Sequence, residues 1–383
     1  MIERLGEIHR LANRHAGKLL LLGLAGVAGY NWWRWQKDRA LLAEKARPAP
    51  PPDWETWPEL PKVSVLVAAW NEADIVERHI RSFLKLSYPS KELILCAGGS
   101  DGTYDLSRQY AGEQVVVLKQ QAGDGKQGAL QRCLERAGGD LIFLTDADCV
   151  LDDESCLRTL APLVQEGEQV ATGLSRPLDD QVGNPFVIHQ WCADTYAAAV
   201  RQGKYVSGLK GANCALWRTA LETVGGFQAG VSTGTDYYLA KQLLAHGYRI
   251  RSVPGSINQT EYSETFSVHA QRQSRWLRNL MVHGRRFQAQ AEVWAALRTS
   301  LLGLGVLLFP ITFLVLGPIA ACAWGLALTH GLLARLRYFA FAQIRHRTTL
   351  NRRYLCWLPM YMLSDFATWS LPLVDLLLRR ERW

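Results

Sequence analysis

The chain has 383 residues, 48% of them hydrophobic, and a net charge of +8. That apolar share excludes general disorder and is enough for two domains, or for one large domain with additions. Residues 1–47 carry +5 and residues 331–383 carry +6, which leaves the middle at −3. A basic excess flanking apolar runs is the pattern of membrane anchoring on an anionic leaflet, and it argues against a nucleic-acid partner.

The first apolar run, about 18–35, ends in Tyr30, Trp32, Trp33 and Trp35, with Arg14, Lys18, Arg34 and Lys37 around it. It predicts a membrane span within an N-terminal anchor, 1–47. No small-residue cleavage site follows, which disfavours a signal peptide. Residues 48–61 hold Pro48, Pro50, Pro51, Pro52, Pro58 and Pro61 and read as a stiff linker. From 63 to about 255, apolar strands (63–68, 92–96, 114–118, 141–144) alternate with helical segments (73–86, 104–110, 125–137, 154–164). That order predicts an α/β fold with a parallel sheet and right-handed crossovers.

Residues 301–334 are almost wholly apolar. As one helix they would reach ~51 Å, too long for a single ~30 Å crossing. A break at Gly317-Pro318 divides them into spans of about 299–316 and 318–335. The Arg-rich stretch 335–353 reads as a cytosolic loop, and 354–378 as a last span containing Asp365 and Asp375. A carboxylate at membrane depth faces protein or water, so Asp365 either lines an acceptor path or bonds a neighbouring helix. The eight cysteines show no CxxC pattern and no Cys/His spacing for zinc. Most lie in apolar stretches, as buried free thiols in a reducing compartment do.

Several short motifs carry chemistry. Leu141-Ile142-Phe143-Leu144-Thr145-Asp146-Ala147-Asp148 reads as a buried parallel strand whose exit carries two carboxylates. Ligands of open α/β sheets collect at that end. Acids so close repel unless a cation lies between them. A divalent ion bridging to a phosphorylated substrate meets this need, and a pair of capping acids is the plain alternative. Val63 to Glu72 is a strand ending in Asn71-Glu72. Gly123-Asp124-Gly125-Lys126 opens a helix whose free amides and lysine suit a pyrophosphate, without the spacing of a Walker loop or a dinucleotide fingerprint. Gly208-Leu209-Lys210-Gly211-Ala212-Asn213 follows, and then Gly234-Thr235-Asp236, an N-cap or a functional acid before the helix 237–245. Arg272-Gln273-Ser274-Arg275-Trp276 sets guanidinium groups beside an indole on a segment with the character of an interface helix.

Taken in order, over about 62–290, these motifs resemble family 2 glycosyltransferases. The resemblance implies an α/β, GT-A (Rossmann-like) nucleotide-sugar-binding domain with N-terminal and C-terminal transmembrane helices, the latter in 291–383. It also implies inverting transfer of a sugar from a nucleotide-sugar. By the same resemblance Asp146 and Asp148 hold the donor and a Mg²⁺ or Mn²⁺ ion. Ala68, Asn71, Glu72, Asp101 and Lys126 line the donor, and Asp236 is the base on the acceptor hydroxyl. Gly211, Asn213 and Trp276 meet the acceptor. Arg272, Arg275 and Trp276 match the (Gln/Arg)-x-x-Arg-Trp motif of polysaccharide synthases and ceramide glucosyltransferases, a motif that lines the region between diphosphate and acceptor.

Three departures stand out. Where the family has Asp-Asp-Gly-Ser this chain has Cys96-Ala97-Gly98-Gly99-Ser100-Asp101, so the acid that reads the nucleobase is missing or displaced to Asp101. The usual Glu-Asp is Thr235-Asp236, and Arg272 replaces the commoner Gln. The resulting expectation is a multi-pass membrane enzyme, its catalytic domain facing the cytoplasm, that moves a sugar from a UDP-sugar to a lipid. A processive polysaccharide synthase acting on a glycan acceptor is the alternative within enzymes, and a non-catalytic membrane scaffold is the alternative outside them.

Overall fold

The computed structural model describes residues 14–44, 50–201, 203–228 and 233–378. The basic flank at 1–13, the first two residues of the expected linker and the C-terminal arginines of 379–383 lie outside the described residues. The chain divides into two compact units: Pro48–Gln181 with Val200–Tyr262, and Met1–Arg47 with Val182–Ala199 and Ser263–Trp383.

The first unit is built on a mixed sheet. Its strands are β1 (Val63–Trp70), β2 (Lys91–Gly98), β3 (Val115–Lys119), β4 (Leu141–Leu144), β5 (Cys149–Val150), β6 (Val170–Pro177), β7 (Tyr205–Val206), β8 (Cys214–Trp217) and β9 (Ile250–Thr260). The order is β3-β2-β1-β4-β8-β6-β9-β5, with β7 also on β9. The first four are mutually parallel, as the alternation of strands and helices predicts, and β4 meets β8 antiparallel.

The parallel strands read as unbroken apolar runs because both their faces are covered. Val65 and Val67 of β1 and Leu93 and Leu95 of β2 pack with Ile80 and Phe83 of the helix Val76–Leu84 and with Leu157 and Leu160 of Asp153–Gln165. Leu66, Ile94, Ile142 and Leu144 face the other way, onto Leu130 and Cys133 of Gly125–Arg136 and Leu239 and Leu243 of Thr235–Ala245. Leu66, Ile94, Leu141 and Ile142 are completely buried, each contributing roughly 1.5–3 kcal/mol. The expected linker also joins this core. Asp53 caps a short 3-10 turn, Trp54–Thr56, and Trp57 is buried with its ring 5.7 Å from that of Tyr88.

The second unit is helical: Ala16–Glu44, Pro185–Arg201, Phe266–Arg286, Gln290–Leu307, Phe309–Leu316, Pro318–His346 and Arg353–Leu377. The expected break is present, with Gly317 at φ 61° and Pro318 opening the next helix. An additional break at Leu308 divides the run before it. The stretch 335–346 is helical where a loop was expected, leaving 347–352 as the connection. Residues 182–199 and 263–290, expected inside the catalytic domain, group with these helices. Among the described residues one helix, Pro318–His346, is long and apolar enough to cross a membrane.

The first helix lies parallel to that one. The Cys322 thiol reaches the Ala16 carbonyl, Asn31 bonds His330 and Asp38 pairs with Arg337. Asp38 is 3% exposed and Arg337 9%. Arg337 donates through Nε to Asp38 at 3.0 Å, through Nη1 to Asn31 at 3.0 Å and through Nη2 to the Tyr196 hydroxyl at 2.9 Å. A second buried set holds Asp365, which makes the helix contact that one of its two readings expects: it accepts from Arg335, and His189 Nε2 lies 3.0 Å away, with His189 Nδ1 at 3.1 Å from the Tyr354 hydroxyl. Asp375 is likewise engaged, accepting from the Ser274 hydroxyl at 2.8 Å. All eight cysteines are free and six are buried.

Removing one partner of a buried pair strands the other charge, at a cost of about 3–5 kcal/mol, whereas apolar replacement of both is far milder. Asp38→Leu should therefore lower thermal stability in detergent micelles strongly, and Asp38→Leu with Arg337→Met should recover most of the loss.

Candidate active site

β4 is four residues long and ends at Leu144, level with Leu66 of β1, so Asp146 and Asp148 emerge at the carboxyl edge of the parallel strands. Asp146 pairs with Lys126, their side chains 33% and 42% exposed. Lys126 stands in the first turn of Gly125–Arg136, in a loop held by Asp124, whose carboxylate accepts from the Gln121 amide at 2.8 Å and from Arg132 at 3.0 Å. Partial desolvation pulls the Lys126 ammonium down. The fields of Asp146, Asp236 and Asp148 outweigh this and hold it above the ordinary lysine value. Asp146, Asp236 and Asp148 are thus each near enough for their charges to act on Lys126.

Asp148 is fixed from β9. The Thr260 hydroxyl donates to its carboxylate at 3.1 Å, and the Glu261 amide donates to its carbonyl at 3.1 Å. Asp236 sits in the first turn of Thr235–Ala245, after Gly234 at φ 73°, and accepts from the Tyr237 amide at 2.8 Å. Gly211 lies against it: a Cβ there would stand 3.1 Å from the Asp236 Cβ and 3.4 Å from Oδ2.

Asn213, expected at the acceptor, is corrected. Its side chain is completely buried, donating to the Leu174 carbonyl and the Ser256 hydroxyl at 2.9 Å each and accepting from Thr159 at 3.0 Å. No acceptor reaches it. It joins β6, β8 and β9 to the helix beneath them.

The other residues expected on the donor side lie in and after β1 and β2. Ala68 is half-buried in β1, opposite Cys96. Asn71, at φ 57°, accepts from the Ser100 amide at 2.8 Å, and the Glu72 amide bonds the Thr103 hydroxyl at 2.8 Å. Asp101 accepts from the Ala73 amide at 2.9 Å and from the Thr103 amide and hydroxyl at 3.0 and 2.6 Å. The Thr103 hydroxyl first, then the Ala73 amide, hold its carboxyl below the usual range. Asp101 thus ties the turn after β1 to the turn after β2.

Gly98, within the stretch that lacks the family's acid, has no room for a side chain. A Cβ would lie 2.9 Å from the Trp70 ring and from Gln120, which already fill the space. Glycine lets β2 run beneath them. Trp70 is exposed, whereas Gln120 is buried with its Oε1 unpartnered. Only the absence of the acid was legible in the sequence, not the pair packed against Gly98.

Arg272, Arg275 and Trp276 belong to the helical unit. They occupy positions i, i+3 and i+4 of Phe266–Arg286 and all three are exposed, with Ser274, Leu277 and Met281 buried on the opposite side.

Among the described residues no group of three or more His, Cys, Asp or Glu is arranged to hold a metal by itself. Two carboxylates remain, which is the donor set used when a Mg²⁺-like ion completes its shell with substrate phosphates and water.

A mixed α/β sheet with acids at the carboxyl edge of its parallel strands is the GT-A type of fold. The chain is similar, with a TM-score of 0.55 at 18% identity, to a mannosyltransferase from Pyrobaculum calidifontis solved in complex with GDP-Man and Mn²⁺, over 96% of this chain and 100% of that one. The chain belongs to the glycosyltransferase-like family 2, whose model matches residues 61–279, and it is a glycosyltransferase enzyme. Over 260 residues it is 25% identical to the probable glycosyltransferase YdaM of Bacillus subtilis, covering 62% of this chain and 60% of that one. Over 262 residues it is 22% identical to the poly-beta-1,6-N-acetyl-D-glucosamine synthase of Staphylococcus epidermidis, 64% and 60%. Over 228 residues it is 28% identical to the beta-monoglucosyldiacylglycerol synthase of Synechocystis sp., 55% and 47%. The chain spans about 60% of the length of the first of these relatives.

Because Gly211 leaves the space that Asp236 occupies, Gly211→Ala should displace that carboxylate. Sugar transfer should fall at least tenfold, a loss of ~1.4 kcal/mol of transition-state stabilisation, while the melting temperature moves little. Initial rates and thermal melts of the same preparation check this.

Proposed function

We propose that the enzyme transfers one sugar, with inversion, from a UDP-sugar to a lipid acceptor at a membrane, its α/β unit facing the cytoplasm. The observation that carries the catalytic part is the gathering of Asp146, Asp148 and Asp236 around Lys126 at the carboxyl edge of the sheet. Asp146 and Asp148 would hold a Mg²⁺ or Mn²⁺ ion, which when bound neutralises the donor's diphosphate. Lys126 and Arg275 stabilise the charge that grows on the departing diphosphate. Asp236 accepts the proton of the acceptor hydroxyl as its oxygen attacks, and displacement with a single base inverts the sugar carbon. Arg272 flanks the leaving group, and Trp276 offers an apolar face to the acceptor. Ala68, Asn71 and Glu72 line the donor, and Asp101 holds the rim on which the nucleotide rests.

The lipid reading is supported by the apolar surface of the helical unit, where Leu22, Trp32, Trp33, Leu314, Val315 and Leu377 are exposed. It is also supported by the relative named for synthesis of a glucosyl lipid. The cytoplasmic orientation is supported by the basic residues at one end of the parallel helix pair. Lys37 and Arg39 share one end of it with the connection bearing Arg347, Arg352 and Arg353, and from that end the chain continues into the α/β unit. Positive residues favour the cytoplasmic side. The relative named for poly-N-acetylglucosamine synthesis supports a second reading, a processive polysaccharide synthase, which long products from the purified protein would establish.

Membranes containing the protein, offered labelled nucleotide-sugars and a lipid extract, should yield a glycolipid. A chelator should abolish the product, and Mn²⁺ or Mg²⁺ should restore it. Asp236→Asn should cut turnover by about 10²–10⁴-fold with donor binding retained, and Asp146→Ala or Asp148→Ala should lose donor binding as well. Transfer that survives Asp146→Ala and Asp148→Ala would refute the donor assignment, and full activity of Asp236→Asn would support a different base.

A further inference from the structure

The turn that carries Asp146 and Asp148 has little structure of its own. After Asp148 come only the two residues of β5, paired to β9 through Cys149 with Thr260 and Val150 with Gln259. Strands this short rely on neighbours for their stability. One neighbour is β9, through Thr260 and Glu261. The other is the helix Val76–Leu84. His79 Nδ1 lies 2.8 Å from the Cys149 carbonyl, and the Leu151 amide donates to the Ser82 hydroxyl at 3.0 Å. Ser82 in turn donates to the His79 carbonyl at 2.7 Å, so the two side chains act from one helical turn.

His79 is completely buried. A carbonyl only accepts, so Nδ1 carries the hydrogen and Nε2 keeps its lone pair. Among the described residues Nε2 has no hydrogen-bond partner. A second ring proton would be a buried donor without an acceptor, so the imidazole is confined to one tautomer. Burial holds the ring below the usual histidine range, although the Cys149 bond and the Asp146 charge oppose it. The consequence is a rigid, neutral donor aimed at the backbone one residue beyond Asp148.

We infer that His79, with Ser82, is a positioning residue of the donor site: it clamps the segment 149–151 from the side opposite β9 and so fixes the direction of the Asp148 carboxylate. The inference rests on the donor-site reading above for its functional consequence, and on the hydrogen bonds alone for the clamp.

The test compares the full chain in detergent as native protein, His79→Leu and His79→Asn, whose amide nitrogen takes the place of Nδ1. Hydrogen exchange over residues 145–152 and calorimetric binding of Mn²⁺ with UDP or GDP are measured on each. His79→Leu should speed exchange in that segment by about tenfold, the factor that an ordinary lost hydrogen bond carries, and weaken Mn²⁺–nucleotide binding by a similar factor. Exchange in β1 and β2 should stay native, and His79→Asn should restore both quantities. Unchanged exchange over 145–152 in His79→Leu overturns the clamp, and faster exchange with native Mn²⁺–nucleotide affinity overturns the positioning role. If the native protein binds neither nucleotide with Mn²⁺, the donor reading fails, while exchange still decides the clamp. Should His79→Leu not fold, Ser82→Ala carries the same comparison with the same two outcomes.

Discussion

Carboxylates do not gather unopposed where a buried sheet meets solvent. Asp146 and Asp148 leave β4 together, Asp236 opens a helix some ninety residues later, and their mutual repulsion has to be met by a cation. Lys126 meets it, delivered by the crossover between β3 and β4. The strand order is what allows this. Placing β1 between β2 and β4 brings the ends of three crossovers to one edge, and the antiparallel β8 returns the chain so that Gly211 can stand against Asp236. Tight turns and small residues around the acids then follow from the need to bring charged groups close without steric conflict.

The helical unit solves a different electrostatic problem. Its buried charges, Asp38 with Arg337 and Asp365 with Arg335, are drawn from different helices, and each pair recruits neutral partners: Asn31 and Tyr196 in one case, His189 in the other. Such pairs contribute little net stability over apolar packing, but an unpaired member is costly, so wrong helix pairings are penalised more than right ones are rewarded.

The parallel half of the sheet was legible because its signal is local. A strand covered on both faces is a run of apolar residues, and 63–68, 92–96, 114–118 and 141–144 are such runs; the structure lengthens the first two, shifts the third by one residue and keeps the fourth unchanged. The other half, in which β8 is antiparallel to β4 and β6 while β6 and β9 are parallel, was not legible. β5 and β7 have two residues each, too few for any periodicity, and β9 shifts its register against β6 between Thr172 and Leu174. The acids were legible as motifs, and so was Asp236 in its helix turn. Asn213 misled because a buried amide with satisfied partners has the same local sequence as an exposed one. What supports Asp148 was invisible, since Thr260 lies 112 residues away from it and His79 lies 70 residues from Cys149. That the stretch 96–101 lacks the family's acid or displaces it to Asp101 was legible, whereas the packing of Trp70 and Gln120 against Gly98 was not.

The parallel contact between Ala16–Glu44 and Pro318–His346 constrains any path in which both helices cross a bilayer. If two neighbouring helices that run the same way both cross, an odd number of passages must separate them in sequence, whatever lies between them. If both cross, the return falls to 290–316, the apolar chain immediately before the Gly317-Pro318 turn, even though it is interrupted at Leu308. Its 27 residues would reach about 40 Å if straight, enough for one passage with a bend. Under that condition parity asks of the interrupted segment the same passage that its apolar sequence suggests at about 299–316.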